Sequence, residues 1–320
     1  MHRPGPLRPA RVLALIAGLS GLGVGGCGVV PGERTTTTHR TASNGLPGAG
    51  RPLVTIGDKN FTEQFILGEL YYLALRNAGF SVQLNQNIGP LEVTLNQLRN
   101  GQLGMYPEYL STWDGQVAHT PGPFSSSQSA YQAGQTYAEA HGMQLLKPTP
   151  FSDTGAIGVT FEYAVQHGLT AIRDLGHLDR QLTLGGPPQF QQESSGLPAL
   201  ESAYGFHSSA YKSLEIGGQY QSLDSHEVQA AEVNTTDAQL TTGDYTLLSD
   251  PFHVFGWGNV VPIVPARVLA AEGPAFAATI NEVSALLTTD VIRELNAAVD
   301  LEGQDPSTVA SQFLAENGLG

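Results

Sequence analysis

Between Leu53 and Tyr106 the chain repeatedly switches between an extended and a helical hydrophobic pattern, and this alternation restricts the fold more than any other feature. Leu53-Val54-Thr55-Ile56-Gly57 is a short β-branched run that ends at a glycine. Asn60 with Glu63 three residues later reads as a helix N-cap, and Ile66, Leu70, Leu73, Ala74 and Ala78 recur at helical spacing until Gly79 stops the helix. Residues 80–84 predict a second strand, Ile88-Gly89-Pro90 a turn, and Leu91, Leu95 and Leu98 a helix that stops at Gly101. A third strand is expected over residues 103–106. Strands alternating with helices of this length point to a parallel α/β sheet.

A similar passage returns later. Residues 95–103 are echoed by residues 220–228, each a helix end, a tight turn and a strand, and the echo fits two lobes built alike. Between them lie a strand expected over 154–160, a loop over 185–195 and a helix starting at Leu197. Past Asp250 the chain predicts a strand at 260–264, amphipathic helices over 276–287 and 291–299, and a short last helix after Pro306.

The first residues carry a different signal. Arg3, Arg8 and Arg11 precede a Gly-rich apolar stretch over 12–24, of signal-peptide length and too short to span a bilayer. It runs into Val24-Gly25-Gly26-Cys27, which resembles a lipobox, and Cys27 is the only cysteine in the chain. Residues 1–27 therefore read as a lipoprotein signal peptide with lipidation at Cys27, which places the protein outside the cytoplasm on a lipid anchor. Residues 28–51, with four successive threonines and scattered Gly and Pro, read as a flexible tether. Loss of the signal leaves 12 basic against 29 acidic side chains, a net charge of −17. Such a surface repels nucleic acid, keeps an exported protein soluble, and modestly favours a cationic ligand.

Enzymatic signatures are missing. The sequence contains no G-x-S-x-G elbow, H-E-x-x-H helix or P-loop. The histidines, among them His119, His141, His167, His177, His207, His226 and His253, lack metal-ligand spacing. Neither catalysis, a metal nor a cofactor is expected.

Two passages carry a specific resemblance. One is Ile56-Gly57-Asp58-Lys59-Asn60-Phe61-Thr62-Glu63-Gln64 with Met105-Tyr106-Pro107-Glu108-Tyr109 behind it. The other joins Phe190, Ser195-Gly196-Leu197-Pro198, Asn234-Thr235-Thr236-Asp237, Ser249-Asp250-Pro251-Phe252 and Asn259-Val260-Val261-Pro262. Together they resemble the substrate-binding proteins of glycine betaine, carnitine and choline ABC importers, the ProX and OpuC type with an OpuAC-like domain. The resemblance implies a type II periplasmic-binding-protein fold, two α/β lobes joined by two crossover strands with a ligand cleft between them. Residues 52–154 and 258–320 would form lobe I and residues 155–257 lobe II. It implies a monomer that hands an osmoprotectant to ABC permease subunits. In that family tyrosines cage the quaternary ammonium, because such a cation offers no hydrogen-bond donor and only aromatic faces and oxygens recognise it. A Lys or Arg holds the carboxylate.

Carried over by position, the resemblance places Lys59, Asn60, Phe61, Thr62, Gly89, Tyr109, Thr112, Asp153, Thr154, Phe190, Glu193, Asn234 and Thr235 at the ligand. Lys59 matches the family lysine and precedes the helix expected from Asn60, so both its charge and the helix end would face an anion. The chain also departs from the pattern. Gly155 stands where relatives carry a tyrosine, Asn234 where they carry Tyr or Phe, and Glu193 where an Arg is expected. A carboxylate facing the cleft at 193 would repel a betaine and favour a cation; turned to solvent, it would do neither. The alternatives are therefore a polyol, polyamine or aromatic cargo in the same fold, or a sensor or binding module not coupled to import.

Overall fold

The computed structural model describes residues 45–320, apart from 121, 179, 180 and 194. The expected signal peptide, Cys27 and most of the tether lie outside the described residues. Residues 45–51, read as the tether's end, instead form a turn against the body: Gly48 N–H donates to Ala78 O at 3.0 Å and Arg51 Nη1 to Ala271 O at 2.9 Å.

The first half of the chain builds β1 (Val54–Gly57), α1 (Thr62–Asn77), β2 (Val82–Asn85), α2 (Leu91–Asn100), β3 (Tyr106–Tyr109), α3 (Leu110–Thr112), α4 (Ser127–Ala140) and β4 (Met143–Leu145). Then come β5 (Gly155–Thr160), α5 (Phe161–His167), β6 (Thr183–Gly186), α6 (Pro188–Gln192), α7 (Leu197–Tyr204), β7 (Ala210–Ser213), α8 (Gln219–Asp224), β8 (Ala230–Asn234) and β9 (Tyr245–Leu248). The chain closes with β10 (Val260–Pro265), α9 (Ala266–Glu272), α10 (Pro274–Leu286), α11 (Thr289–Asp300) and α12 (Pro306–Glu316).

Two sheets follow one plan. β1 pairs β2 in parallel, Gly57 N–H reaches Met105 O at 2.9 Å, and β3 continues into β3-β10-β4, giving the order β2-β1-β3-β10-β4. The second sheet has the order β7-β6-β8-β5-β9. In each, the strand inserted antiparallel between the third and last strands arrives from the other half of the chain, β10 in the first and β5 in the second. The echo between 95–103 and 220–228 has its counterpart here, because α2 and α8 each precede the third strand of their sheet. The all-parallel expectation holds for β1–β2 and for β6 with β7 and β8, and fails at the two inserted strands.

Each sheet is buried on both faces. Ile66, Leu70, Tyr71 and Phe276 fill one side of the first sheet, and Leu98, Tyr106, Trp113 and Ile263 the other. Ile157, Leu184 and Leu200 pack one side of the second, and Leu223, Val228 and Val233 the other. Each fully buried side chain of this size contributes roughly 1.5–3 kcal/mol. Gly68 has a steric reason: a Cβ there would collide with Asp58 Oδ2, whose carboxylate lies against α1 and accepts the Asn87 N–H at 2.8 Å.

Candidate functional site

The two halves meet at two crossovers, residues 152–154 and 257–259, which lie side by side. Asp153 N–H donates to Gly258 O at 3.0 Å, Gly258 N–H to Ser152 Oγ at 2.9 Å, and Ser152 bridges Asn259. Gly258 allows this approach, since a Cβ would run into the Asp153 carbonyl. Thr154 and Thr235 bind each other through both backbones: Thr235 N–H reaches Thr154 O at 2.9 Å, and Thr154 N–H reaches Thr235 Oγ1 at 3.0 Å.

Around this junction stands a set of carboxylates. Glu63, on the first turn of α1, accepts from Tyr109 Oη at 2.8 Å and from Asn296 Nδ2 at 3.1 Å, and the same Asn296 nitrogen donates to Thr236 O at 2.9 Å. Asp237, just past β8, accepts from Tyr220 Oη and the Asn234 N–H, both at 2.9 Å. Burial pushes Glu63, Asp153 and Asp237 up, and hydrogen bonds from Thr236, Tyr109 and Asn296 only partly offset this for Glu63. Asp153 Oδ1 is buried with no hydrogen-bond partner among the described residues. Glu232, on β8, is pushed up to about 7 by burial and then by Asp237. Four carboxyls from both halves thus share one poorly hydrated region that disfavours their charged forms, and an entering cation would draw them toward ionisation.

The predicted residues fall at several separate places. Thr154, Thr235, Asp153 and Asn234 sit at the junction, with Asn234 opposite Gly155 in the β5–β8 register. Tyr109 and Phe61 stack with ring centroids 6.0 Å apart, Phe61 exposed and Tyr109 buried. Lys59, expected to face a ligand carboxylate, directs its Nζ to both oxygens of fully buried Glu108, at 2.6 and 2.7 Å. Thr62 donates to Asp300 Oδ1 at 2.6 Å, and Gly89 takes a left-handed conformation, φ 91°, beside Ile88, whose N–H reaches Asp58 O. Asn60 is exposed and the N-cap is Phe61 rather than Asn60, so the Asn60 side chain caps nothing. Thr112 ends α3, half-buried, with no side-chain hydrogen bond to the other predicted residues. Glu193 follows α6 in an extended conformation, exposed; the carboxylate beside the aromatic side chains is Glu232.

Phe190, by contrast, is buried and lies parallel to Phe255, with centroids 6.2 Å apart and planes 10° apart. A hollow of about 320 Å³ opens alongside, lined by Thr154, Gly155, Thr235, Asp250, Phe255 and Trp257 among others. Among the described residues no His, Cys, Asp and Glu group is arranged to hold a metal ion. Glu63, Glu108, Asp237 and Asn296 are not among the site residues expected from sequence, where Glu63 reads only as part of a helix N-cap. Glu63, Glu108 and Asp237 stand inside the quoted motifs, and the side chains that bind Glu63 and Glu108, Tyr109 and Lys59, lie 46 and 49 positions away. Nothing in the sequence marks Phe255 or Glu232.

The family model described as the substrate binding domain of an ABC-type glycine betaine transport system matches residues 52–316. A glycine-betaine-binding protein of Pseudomonas aeruginosa is 29% identical over 275 residues, 82% of this chain and 88% of that protein. The glycine betaine-binding protein YehZ of Escherichia coli is 27% identical over 291 residues, 87% of this chain and 94% of its own length. Among solved structures, one titled as a glycine betaine/carnitine/choline ABC transporter superposes with a TM-score of 0.77 at 23% identity, covering 83% of this chain and 99% of that one. The twin sheets with exchanged strands and paired crossovers are the type II periplasmic-binding-protein fold. The chain belongs to the family of substrate-binding domains of ABC-type glycine betaine transport systems, a solute receptor rather than an enzyme.

Proposed function

We propose that this protein is an extracytoplasmic receptor, lipid-anchored through Cys27, that captures a quaternary-ammonium osmoprotectant such as glycine betaine, choline or carnitine between two lobes and delivers it to ABC permease subunits as a monomer. The lobes in this reading are residues 52–154 with 258–320, and residues 155–257. Supporting the division, one sheet and its helices fall in each. The observation that carries the ligand class is the meeting of Glu63, Asp153, Asp237 and Glu232 at the junction of the lobes, with aromatic rings on either side. A methylated ammonium has no donor to offer, so diffuse negative charge and ring faces are what recognise it, each ring contributing about 0.5–2 kcal/mol. Calorimetric titration with choline, glycine betaine, carnitine and a panel of polyols and polyamines tests the reading. One-to-one binding of a quaternary amine is expected; binding confined to a polyol would replace the cargo and leave the fold assignment standing.

A further inference from the structure

α11 belongs to the first half of the molecule by its packing, yet its polar side reaches the second half. Ile292 and Leu295 are buried in the core of the first sheet, and Thr62, at the start of α1, binds Asp300 at the end of α11. Arg293, Asn296, Ala297 and Asp300 recur at helical spacing on an adjoining stripe. From that stripe Arg293 Nε donates to Thr235 O at 2.8 Å and Asn296 Nδ2 to Thr236 O at 2.9 Å, and the helix packs against the turn Ala238–Thr241. Asn296, Ala297, Thr236 and Ala238 are all buried. Thr235 is fixed on its other side to the first crossover, since its hydroxyl donates to Ser152 O at 2.7 Å and its N–H to Thr154 O at 2.9 Å. The halves are therefore joined by the paired crossovers and, through this loop, by a third, noncovalent connection.

We propose that α11 is a latch: Arg293 and Asn296 hold the two halves in the arrangement that binds solute, and so set the affinity for every solute without choosing among them. The proposal rests on the reading above that the acids of both halves form the site. Its sign follows from Asn296. The single Nδ2 group holds Glu63 Oε2 at 3.1 Å as well as the Thr236 carbonyl, so the arrangement that closes the latch is the one in which Glu63 meets Asp153 and Asp237. Halves tied only at the crossovers would spend part of their time in arrangements that cannot bind, and apparent affinity falls in proportion to the competent fraction. The latch bonds populate the competent arrangement before solute arrives. Because they act on that fraction, their loss weakens all solutes by one common factor, unlike the loss of a side chain that touches one part of one solute.

The test is calorimetric titration of the purified full chain, in detergent, with choline and with glycine betaine, for the native protein and for Arg293→Met and Asn296→Leu. Arg293→Met keeps the aliphatic stem and removes the donor to Thr235. Both variants should weaken choline and glycine betaine by the same factor, roughly three- to tenfold, at unchanged stoichiometry, which separates the effect from partial unfolding. Spin labels on Val93→Cys and Ile216→Cys, exposed positions in the first and second halves, report the distance between the halves by pulsed electron resonance in the full chain with Cys27→Ser. Without solute, Arg293→Met should add a second, displaced population of distances, and saturating choline should restore the native one. Affinities within twofold of native in both variants, or native distances in Arg293→Met without solute, overturn the latch. A loss confined to glycine betaine in Arg293→Met also overturns it and makes Arg293 a contact for the ligand carboxylate. Binding of neither amine by the native protein overturns the quaternary-amine reading, and the distances without solute then decide the latch by themselves.

Discussion

Removing the Lys59 side-chain charge should destabilise the protein rather than simply empty the site. The Lys59 ammonium lies 2.6 and 2.7 Å from the two carboxylate oxygens of Glu108, whose side chain is 0% exposed against 13% for Lys59. Glu108 also accepts from the Tyr109 N–H at 2.9 Å and from Tyr106 Oη at 3.3 Å. At an effective dielectric of about 20, opposite charges at this separation attract by roughly 6 kcal/mol, and desolvation of both ions offsets a large part of that. Lys59→Met leaves Glu108 buried with two neutral donors, and breaking a buried pair on one side costs about 3–5 kcal/mol. The partial exposure of Lys59 argues for the lower end, about 3 kcal/mol. Lys59→Met combined with Glu108→Gln removes both charges, keeps an oxygen for the Tyr109 N–H and turns an NH2 donor to the Tyr106 hydroxyl oxygen, so it should recover at least about 1.5 kcal/mol of the loss. Urea unfolding followed by far-ultraviolet circular dichroism measures all three proteins, with an unchanged m-value as the check that the denatured state is comparable. A loss below about 1 kcal/mol in Lys59→Met, together with complete loss of ligand binding, would refute the argument and make Lys59 a ligand contact.

Three further outcomes follow from the same geometry. Gly68→Ala drives a methyl group into the Asp58 carboxylate against α1, so thermal unfolding should show a loss of about 1–3 kcal/mol, whereas the same change at exposed Gly115 should have a much smaller effect. Burial raises Asp58, Asp114 and Glu232 to about 7 from 3.8, 3.8 and 4.5, so the native chain holds more protons than the unfolded chain between pH 7 and 4.5. Stability should therefore rise as pH falls from 8 to 5.5, by on the order of 2 kcal/mol after discounting for solvent near these groups; a melting temperature that falls over that range would contradict the sign. Tyr109→Phe keeps the ring against Phe61 and removes the donor to Glu63, and urea unfolding should show a loss of about 1 kcal/mol.

Much of the architecture was legible because it is written in local pattern. The helix stopped by Gly101 is such a case: Leu95 and Leu98 recur at helical spacing and Gly101 sits in the left-handed conformation, φ 87°. The third strand was placed over 103–106 and lies at Tyr106–Tyr109, because its ends are set by pairing with β10, more than 150 residues away, and not by its own apolar run. α6 read as loop because five residues carry too little periodicity, even with Pro188 at its first turn. α9 was missed because Gly273 separates it from α10 by a single break. The same division runs through the site. Lys59 and Tyr109 were visible as residue types near a helix start, yet what each binds, Glu108 and Glu63, lies 49 and 46 positions away. That Phe255 fills the space a side chain at 155 would take has no trace in one dimension, since about 100 residues separate the pair and a glycine reports only what it lacks.

The hydrogen bonds between the two crossovers have a consequence for how such a receptor moves. Two separate tethers would let the halves slide, twist and bend independently, and each of those freedoms would have to be frozen when solute is captured. With Asp153 N–H on Gly258 O and Gly258 N–H on Ser152 Oγ, the tethers form one narrow ribbon, stiff in its plane and soft across it. Its soft direction is a single flexing mode. Capture then has one collective coordinate to immobilise, and the entropy lost on binding is correspondingly smaller.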